Sequence, residues 1–359
     1  MIGSSRDVTL RNFAWTLPVV ALVWLAGPAS GAADDAEQRG LALATRAAQL
    51  QELRSADSPP FRLHAHVKLL GLVVGTREGD YTLTFGSPEQ WSERISFPGY
   101  EETNGVWEGK HWRKRSSVDR PYRFLEVMHL LDVGRHVRIP AASHVLKLSQ
   151  RQTAGQQDLC IEAAPTRDVW ERERENTAAI GELAPRKDIR YTLCFDGASG
   201  ALREAEYALP LPRFVYEGSV PLGNKAFPER LRCFEGKDLV VDASVDLLSP
   251  IESFNAASVA PPAGATSWPV CDAASPPRLL AKSEADNTHA KANRVFGTVV
   301  FYAEVGIDGS LHDLTSVQAR GAALVGGVQD AVANWRYAPA ECRGTPVPFD
   351  IYLAYTFLP

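Results

Sequence analysis

The segment from Val295 to Pro359 constrains the fold most, because each of its parts predicts a definite element. Val295–Val305 is rich in β-branched and aromatic residues, which favour a strand. Ile307–Ser310 contains Asp-Gly, a sequence typical of a hairpin turn. Leu311–Gln318 then reads as the returning strand. The segment therefore begins with a predicted β-hairpin.

A helix and a last strand are predicted after this hairpin. Apolar residues recur at three- and four-residue spacing from Leu324 to Trp335, which indicates one face of a helix. Pro339 is predicted to end the helix, and Cys342–Gly344 to form a turn. Apolar residues alternate from Val347 to Phe357, as in a strand with one buried face. The predicted order is strand, strand, helix, strand.

In this order and with these residues, the segment resembles the C-terminal domain of TonB-type energy transducers. The matching sequences are GTVVFYAEVGIDGSL, AVANWRYAPA and RGTPVPFDIYLAYTFLP. The resemblance implies a small β-β-α-β domain over residues 278–359. It also implies a cell-envelope protein that binds TonB-dependent outer-membrane receptors. The family's Tyr-Pro pair before the first strand is replaced by Pro276–Leu280, so an altered peptide specificity is expected.

The binding mode implied by this resemblance is addition of an extended peptide to a sheet edge. The alternating last strand is the candidate edge, since main-chain hydrogen bonds would supply the affinity. We interpret Trp335 and Tyr337 as core residues. The candidate peptide-binding residues are Val347, Phe349, Ile351, Tyr352, Leu353 and Tyr355.

Residues 1–31 have the three-part pattern of a secretory signal peptide. Arg6 and Arg11 precede the apolar run Phe13–Ala26, and small residues follow. The alternative is an uncleaved anchor, but the run is short for a bilayer span and contains Pro18. The sequence therefore predicts a periplasmic protein secreted through a cleaved signal peptide, with membrane association as the alternative.

Residues 32–248 predict a β-rich domain. After a helix near Ala36–Ala56, short runs with period-two alternation are separated by turn residues at roughly ten-residue spacing. The predicted class of the whole chain is α+β, with an antiparallel half-barrel or sandwich first and the small domain last.

The sequences YTLTFGSPEQWSERISF and NGVWEGKHW resemble strands of the LolA/LolB lipoprotein carriers, which have a half-barrel around an apolar cavity. The resemblance implies that an aromatic stripe lines an acyl cavity, while the alternative is that the same residues form the core. The candidate cavity residues are Tyr81, Phe85, Trp91, Phe97, Trp107 and Trp112.

Residues 249–277 are rich in proline, alanine and serine, which predicts a linker between the two domains. We expect this segment to be a protease-sensitive boundary.

The five cysteines fit an oxidising compartment. Cys160 and Cys194 lie in two strand-like runs, and we predict a disulfide between them. Cys271 and Cys342 flank the C-terminal domain, and under that pairing Cys233 is left over. Pairing is not fixed by sequence alone.

The composition argues against nucleic-acid binding and catalysis. The formal net charge is −5, and the one basic cluster, Lys110–Arg115, is interpreted as a solvated strand and turn. The sequence contains no nucleophile elbow, phosphate loop or dinucleotide fingerprint. His64 and His66 share a strand face but have no obvious partner nearby, so we predict paired surface histidines. We predict no enzyme, no metal and no cofactor.

Two functions remain open from the sequence. The first is a periplasmic TonB-like protein that binds envelope proteins by sheet-edge addition and serves transmembrane transport. The second is a carrier of lipid or lipoprotein, with an acyl chain as ligand and the C-terminal domain as docking module. Copurified lipid would favour the carrier.

We predict that the mature protein begins near Ala32 or Asp34, because small residues follow the short apolar run. Mass spectrometry of the N-terminus measures this directly. An intact Met1 in washed inner membranes would show that the segment is retained.

Overall fold

The computed structural model describes most of the chain beyond the predicted signal peptide. The described residues are 30–71, 75–116, 120–121, 123–137, 143–153, 156–165, 190–207, 212–271, 274–285, 288, 297–319 and 322–357. The signal-peptide prediction therefore lies outside them but for its last two residues. Among the described helices, none combines the length and the apolar character needed to cross a bilayer.

The short period-two runs become strands with these bounds: β1 Phe61–Leu69, β2 Arg77–Ser87, β3 Gln90–Phe97, β4 Tyr100–Trp107, β5 Lys110–Arg115, β6 Ser143–Thr153, β7 Gln156–Pro165, β8 Tyr191–Asp196, β9 Leu202–Tyr207, β10 Arg213–Glu217, β11 Val220–Leu222, β12 Lys225–Phe227, β13 Arg230–Glu235, β14 Asp238–Pro250 and β15 Thr266–Pro269. Thirteen of them form one antiparallel sheet in the order β15-β5-β4-β3-β2-β1-β14-β13-β10-β9-β8-β7-β6, and β11 and β12 form a separate hairpin. Two meanders meet where β1 pairs with β14. The predicted large antiparallel sheet is confirmed.

One face of this sheet carries the core. Phe61 lies opposite Phe85 in the β1–β2 register, and their rings stack with centroids 5.1 Å apart. Burying one such side chain stabilises the fold by about 1.5–3 kcal/mol. Burial alternates along the whole of β1. Every second residue is at most 1% exposed: Phe61, Leu63, Ala65, Val67 and Leu69.

Three helices pack against the core face: α1 Ser30–Gln51, α2 Phe124–Leu131 and α3 Val133–Val137. Small residues on α1 allow its close approach to the sheet. Ala47 is fully buried, and a Cβ added at Gly40 would stand 2.9 Å from a methyl of Val145. These helices and the core side chains cover one face of the sheet.

The C-terminal domain has a second, smaller core. Its elements are β16 Arg278–Ala281, β17 Gly297–Val305, β18 Leu311–Ala319, α4 Ala322–Ala333, β19 Arg336–Ala338, β20 Ala340–Cys342, β21 Thr345–Val347 and β22 Phe349–Phe357. Its main sheet has the order β18-β17-β22. Trp335 is fully buried and donates its Nε1 hydrogen to the carbonyl of Ser283 at 2.9 Å.

The predicted hairpin turn after β17 is present and fixes the position of β19. Gly309 has a φ of +76°, and a Cβ there would stand 1.8 Å from the carbonyl oxygen of Tyr337. The amide of Tyr337 in turn donates to the carbonyl of Gly309 at 2.9 Å. Glycine is therefore required at this position by both backbone conformation and space.

Two predicted boundaries in this domain are wrong. The helix ends at Ala333 and not at Pro339, since Arg336–Ala338 pairs with β16 as a strand. The alternating run from Val347 is interrupted at Pro348, so Val347 belongs to the β20–β21 hairpin, opposite Ala340. A proline that cannot donate a backbone hydrogen bond marks the break.

The expected linker, residues 249–277, is not a free tether along most of its described length. β15 adds to the edge of the large sheet next to β5. The 3₁₀ helix Ala256–Val259 is anchored by the fully buried Val259. Phe254 covers Gly86 so closely that a Cβ there would stand 2.2 Å from the ring. The proline-rich segment is therefore held against the first domain by strand pairing and by buried side chains.

Both hypothesised disulfides are present. Cys160 lies opposite Cys194 in the β7–β8 register, with Cα atoms 4.0 Å apart. Cys271 joins Cys342 with Cα atoms 5.8 Å apart, so it links the end of the former linker to β20. Cys233 is free and buried, and burial raises the pKa of its thiol.

We predict that proteinase K leaves residues 249–271 intact in the oxidised native protein, because these residues pair with or pack on the sheet. Peptide mapping after limited digestion measures this. Early cleavage inside 249–271 with both flanking domains surviving would support a free linker instead.

Candidate functional site

Arg113 and Arg115 of the basic cluster on β5 contact the C-terminal domain and are not solvated as predicted, whereas Lys110 and Lys114 are exposed. Arg113 and Arg115 are two residues apart on one strand, so their side chains share a face. Their side chains are only 15% and 14% exposed. They contact Glu304 of β17, whose side chain is 5% exposed. The contact joins residues of the two domains.

Arg113 binds Glu304 with both guanidinium nitrogens. Arg113 Nη1 donates to Glu304 Oε2 at 2.5 Å, and Nη2 donates to Oε1 at 2.6 Å. Arg115 Nη2 donates to the same carboxylate at 3.1 Å. Parallel bonds between a guanidinium and a carboxylate add geometric specificity to the attraction, so this contact orients one domain on the other.

Asp313 of β18 is aimed at this cluster by an irregular backbone. The β17–β18 register shifts between Tyr302 and Glu304, and Asp313 has a φ of +55°. Its side chain has no exposed area and accepts from Arg115 Nη1 at 2.5 Å. A bulge commonly re-aims one side chain, and aspartate tolerates left-handed backbone better than most residues.

Arg120 closes the cluster from the segment before α2. It donates to both oxygens of Glu102 at 3.1 and 3.2 Å, and its Nη1 donates to the hydroxyl of Tyr302 at 2.9 Å. That hydroxyl donates to Asp350 at the start of β22. We call Arg113, Arg115, Arg120, Glu102, Glu304 and Asp313 the interdomain ion cluster.

Charges in the cluster set one another's ionisation. Burial opposes the charge of Glu102, yet Arg120 and Arg115 outweigh it and lower its pKa to about 2. Burial likewise opposes the charge of Glu304, and the hydrogen bond and charge of Arg113 lower its pKa. Burial raises the pKa of Asp313 despite the same arginines. The ionised Glu102 therefore stabilises the folded state. This stabilisation is complete above the pKa of an unfolded glutamate, about 4.3, and is lost as the pH falls toward 2.

A polar cavity of about 250 Å³ adjoins the cluster between the domains. Burial lowers the pKa of His111 in its wall, which favours the neutral imidazole. The ring of His111 stacks on Trp268 of β15 at 6.1 Å. The wall includes Glu93, His111, Trp112, Arg120, Trp268 and Asp350.

The last strand has an unpaired edge among the described residues. In the order β18-β17-β22, β22 pairs only with β17 and has no neighbour on its other side. Leu353 is buried, and Ile351 and Tyr355 pack against the small core. The edge therefore offers backbone groups and few free apolar side chains.

The hypothesised peptide-binding residues divide into three groups. Ile351, Leu353 and Tyr355 face the core of the C-terminal domain. Val347 and Phe349 belong to a small cluster around Cys342. Tyr352 lies opposite Tyr302 in the β17–β22 register.

The aromatic stripe of the first domain is mostly core. Tyr81, Phe85 and Phe97 belong to the main hydrophobic cluster, and Trp91 packs against it. Trp112 is buried and lines the polar cavity, and Trp107 is half-buried on β4. The structure therefore does not gather the six residues around one open apolar cavity.

Sequence reasoning missed the interdomain cluster. The available signal was Glu304, an acid in the otherwise apolar strand VVFYAEV, which requires a buried partner if the strand is central. Nothing in the sequence connects it to β5.

Comparison with known proteins supports the predicted resemblance of the last domain. Residues 288–358 match the family model described as Gram-negative bacterial TonB protein C-terminal. The match covers the small sheet with its free edge and not the 13-stranded sheet. No curated protein matches the sequence significantly.

Solved structures similar to the chain come from several bacterial protein families. A LolA superfamily protein from Nitrosomonas europaea is 10% identical, with 62% of this chain and 97% of that chain covered and a TM-score of 0.40. A DUF1329 family protein from Desulfovibrio piger is 13% identical, with 62% of this chain and 97% of that chain covered and a TM-score of 0.41. An outer membrane lipoprotein-sorting protein domain from Vibrio parahaemolyticus is 12% identical, with 61% of this chain and 95% of that chain covered and a TM-score of 0.39. No ligand follows from similarities at this level.

We predict that Glu304→Gln loosens the contact between the domains, because it leaves Arg113 and Arg115 buried without their shared counter-charge. Breaking a buried ion pair costs about 3–5 kcal/mol. The expected result is a lower thermal midpoint and faster hydrogen exchange in β5 and β17.

The matched control is Glu101→Gln, which breaks the exposed Arg94–Glu101 pair at 2.6 Å. That change should cost less than about 1 kcal/mol. Equal effects of the two variants would mean that the cluster does not fix the domains.

Proposed function

We propose that this chain is a non-catalytic binding protein of the bacterial cell envelope. Its C-terminal domain binds an extended segment of another envelope protein, of the TonB-dependent receptor type, by adding it to the edge of β22. The observation that carries the proposal is the free edge of β22 in the domain that matches the TonB C-terminal family. The role is linked to transmembrane transport through this resemblance.

A β-β-α-β arrangement of the TonB kind is part of this proposal. The order β17, β18, α4 and β22 supports it, with three short strands between the helix and the last strand. Two disulfides support an oxidising compartment, and therefore the periplasm.

Edge addition suits the chemistry of β22. An unpaired edge presents a row of backbone N–H and C=O groups that an extended chain satisfies. Since Leu353 is buried and Ile351 and Tyr355 pack on the core, main-chain bonds would supply most of the affinity. This mode tolerates the altered sequence before β17, where Pro276–Leu280 replaces the usual Tyr-Pro pair.

The interdomain ion cluster would hold this edge in one orientation. Glu304 lies opposite Asp350 in the β17–β22 register, so the cluster holds the strand that supports the edge. The carrier alternative requires an apolar cavity, whereas charged side chains such as Glu93, Glu102 and Arg120 line the cavity between the domains together with aromatic ones. The peptide-binding proposal therefore has the better support.

We predict that a receptor-derived peptide slows hydrogen exchange in Phe349–Phe357 by about tenfold or more, because each added strand bond protects an amide. Mass-spectrometric exchange on the oxidised mature protein, with a peptide from a TonB-dependent receptor plug of the same bacterium, measures this. β6, the edge at the far end of the large sheet, serves as the internal reference. Protection of β6 without protection of β22 would contradict the proposal, because it would place the peptide on the edge of the large sheet.

A proline variant tests the same strand. Tyr352→Pro removes one backbone donor from β22 and should weaken peptide binding. Gln150→Pro, in the other edge strand, is the matched control and should leave binding unchanged. Unchanged binding by Tyr352→Pro, with the fold confirmed by circular dichroism, would place the peptide elsewhere.

A further inference from the structure

The outer face of β1 carries two histidines that the peptide-binding proposal does not use. His64 and His66 are two residues apart, and their side chains are 34% and 32% exposed. The sequence shows no carboxylate near them. The fold supplies three: Glu78 and Asp80 from β2, and Asp246 from β14.

Strand register places these acids. His66 lies directly opposite Asp80 in the β1–β2 pairing. On the other side, the β1–β14 register shifts between His64 and Ala65, which leaves Asp246 as an extra residue beside His64. Bulges of this kind often re-aim a side chain. Each histidine is therefore flanked by carboxylates from a neighbouring strand.

Asp80 lies within reach of both imidazoles. Its Oδ1 is 3.6 Å from His64 Nε2 and 3.3 Å from His66 Nδ1. Donor atoms around a tetrahedral ion with bonds of about 2.0–2.1 Å stand about 3.3–3.4 Å apart. Both spacings are close to that value.

The remaining nitrogen of each imidazole faces another carboxylate. His64 Nδ1 is 3.2 Å from Asp246 Oδ2, and His66 Nε2 is 3.4 Å from Glu78 Oε2. Histidines that bind metals typically donate their other ring N–H to a carboxylate, which fixes the tautomer and the ring orientation. Both rings therefore have the outer partner that a metal ligand requires.

We propose that His64, His66 and Asp80 form a binding site for a divalent transition-metal ion of the Zn²⁺, Cu²⁺ or Ni²⁺ class. Imidazole ligands favour these ions over Mg²⁺ and Ca²⁺. In the described residues no three such side chains already surround one point, so the exposed rings rotate onto the ion as it binds. Because the site is exposed to solvent, water or a further ligand can occupy the remaining coordination positions of the ion.

Local charge favours a cation. Glu78, Asp80 and Asp246 all face the two histidines, and Lys68 Nζ lies 2.9 Å from Glu78 Oε1. The carboxylates thus outnumber the lysine. Carboxylates beside two imidazoles attract a divalent ion.

Titration calorimetry with ZnCl₂ on the untagged, chelator-treated mature protein tests the site. We expect one ion per chain. His64→Ala, His66→Ala and Asp80→Asn should each weaken binding by about tenfold or more, and Asp246→Asn by about tenfold through the loss of the outer partner. His144→Ala, an exposed histidine on β6, is the matched control and should bind as the wild type does.

Electron paramagnetic resonance with Cu²⁺ gives a second readout. Nitrogen couplings from two imidazoles are expected in the wild type and should be absent in the variant with both His64→Ala and His66→Ala. These residues are exposed, and circular dichroism checks that the variants fold. No Zn²⁺ binding by the wild type, or wild-type affinity in the double variant, would overturn the site.

Discussion

The bidentate pair between Arg113 and Glu304 sets the arrangement of the two domains. Around it, Arg115 and Arg120 face Glu102 and Asp313, so three guanidinium groups meet three carboxylates. Burying these charges costs hydration free energy that their attraction largely offsets. Such a cluster contributes little net stability but permits few relative orientations, since any shift leaves a charge unpaired. We infer that its main effect is to fix geometry.

A second attachment lies beside the ion cluster, because Thr266 of β15 pairs with Arg113 of β5. β15 extends the large sheet, and a few residues later Cys271 joins Cys342 of β20. The chain that was expected to separate the domains thus connects them by a strand pairing and a covalent bond. Held at two places, β17 is buried on both faces, with Phe301 toward α4 and Tyr302 toward the first domain. The free edge of β22 is therefore presented at a fixed position.

Local pattern predicted most strands, because alternation and turn residues are properties of neighbouring residues. Phe61–Leu69 is an example: its period-two burial follows from its sequence. Register, bulges and domain contacts depend on distant residues. The basic run of β5 looks the same whether it meets water or Glu304, and Asp313 points inward only because of a bulge. The aromatic stripe likewise fits a core or a cavity until the helices are placed, and here Tyr81 and Phe85 lie in the core.

The fixed arrangement of the domains is tested most directly by a distance distribution. Nitroxide amino acids at Leu247 on β14 and Ile307 in the β17–β18 turn, both exposed, report on opposite domains. Double electron–electron resonance on the oxidised protein should give one narrow distance, which broadens when Glu304→Gln is combined with reduction of the disulfides. A broad distribution in the unmodified oxidised protein would contradict the account, because it would show that the C-terminal domain moves freely on its tether.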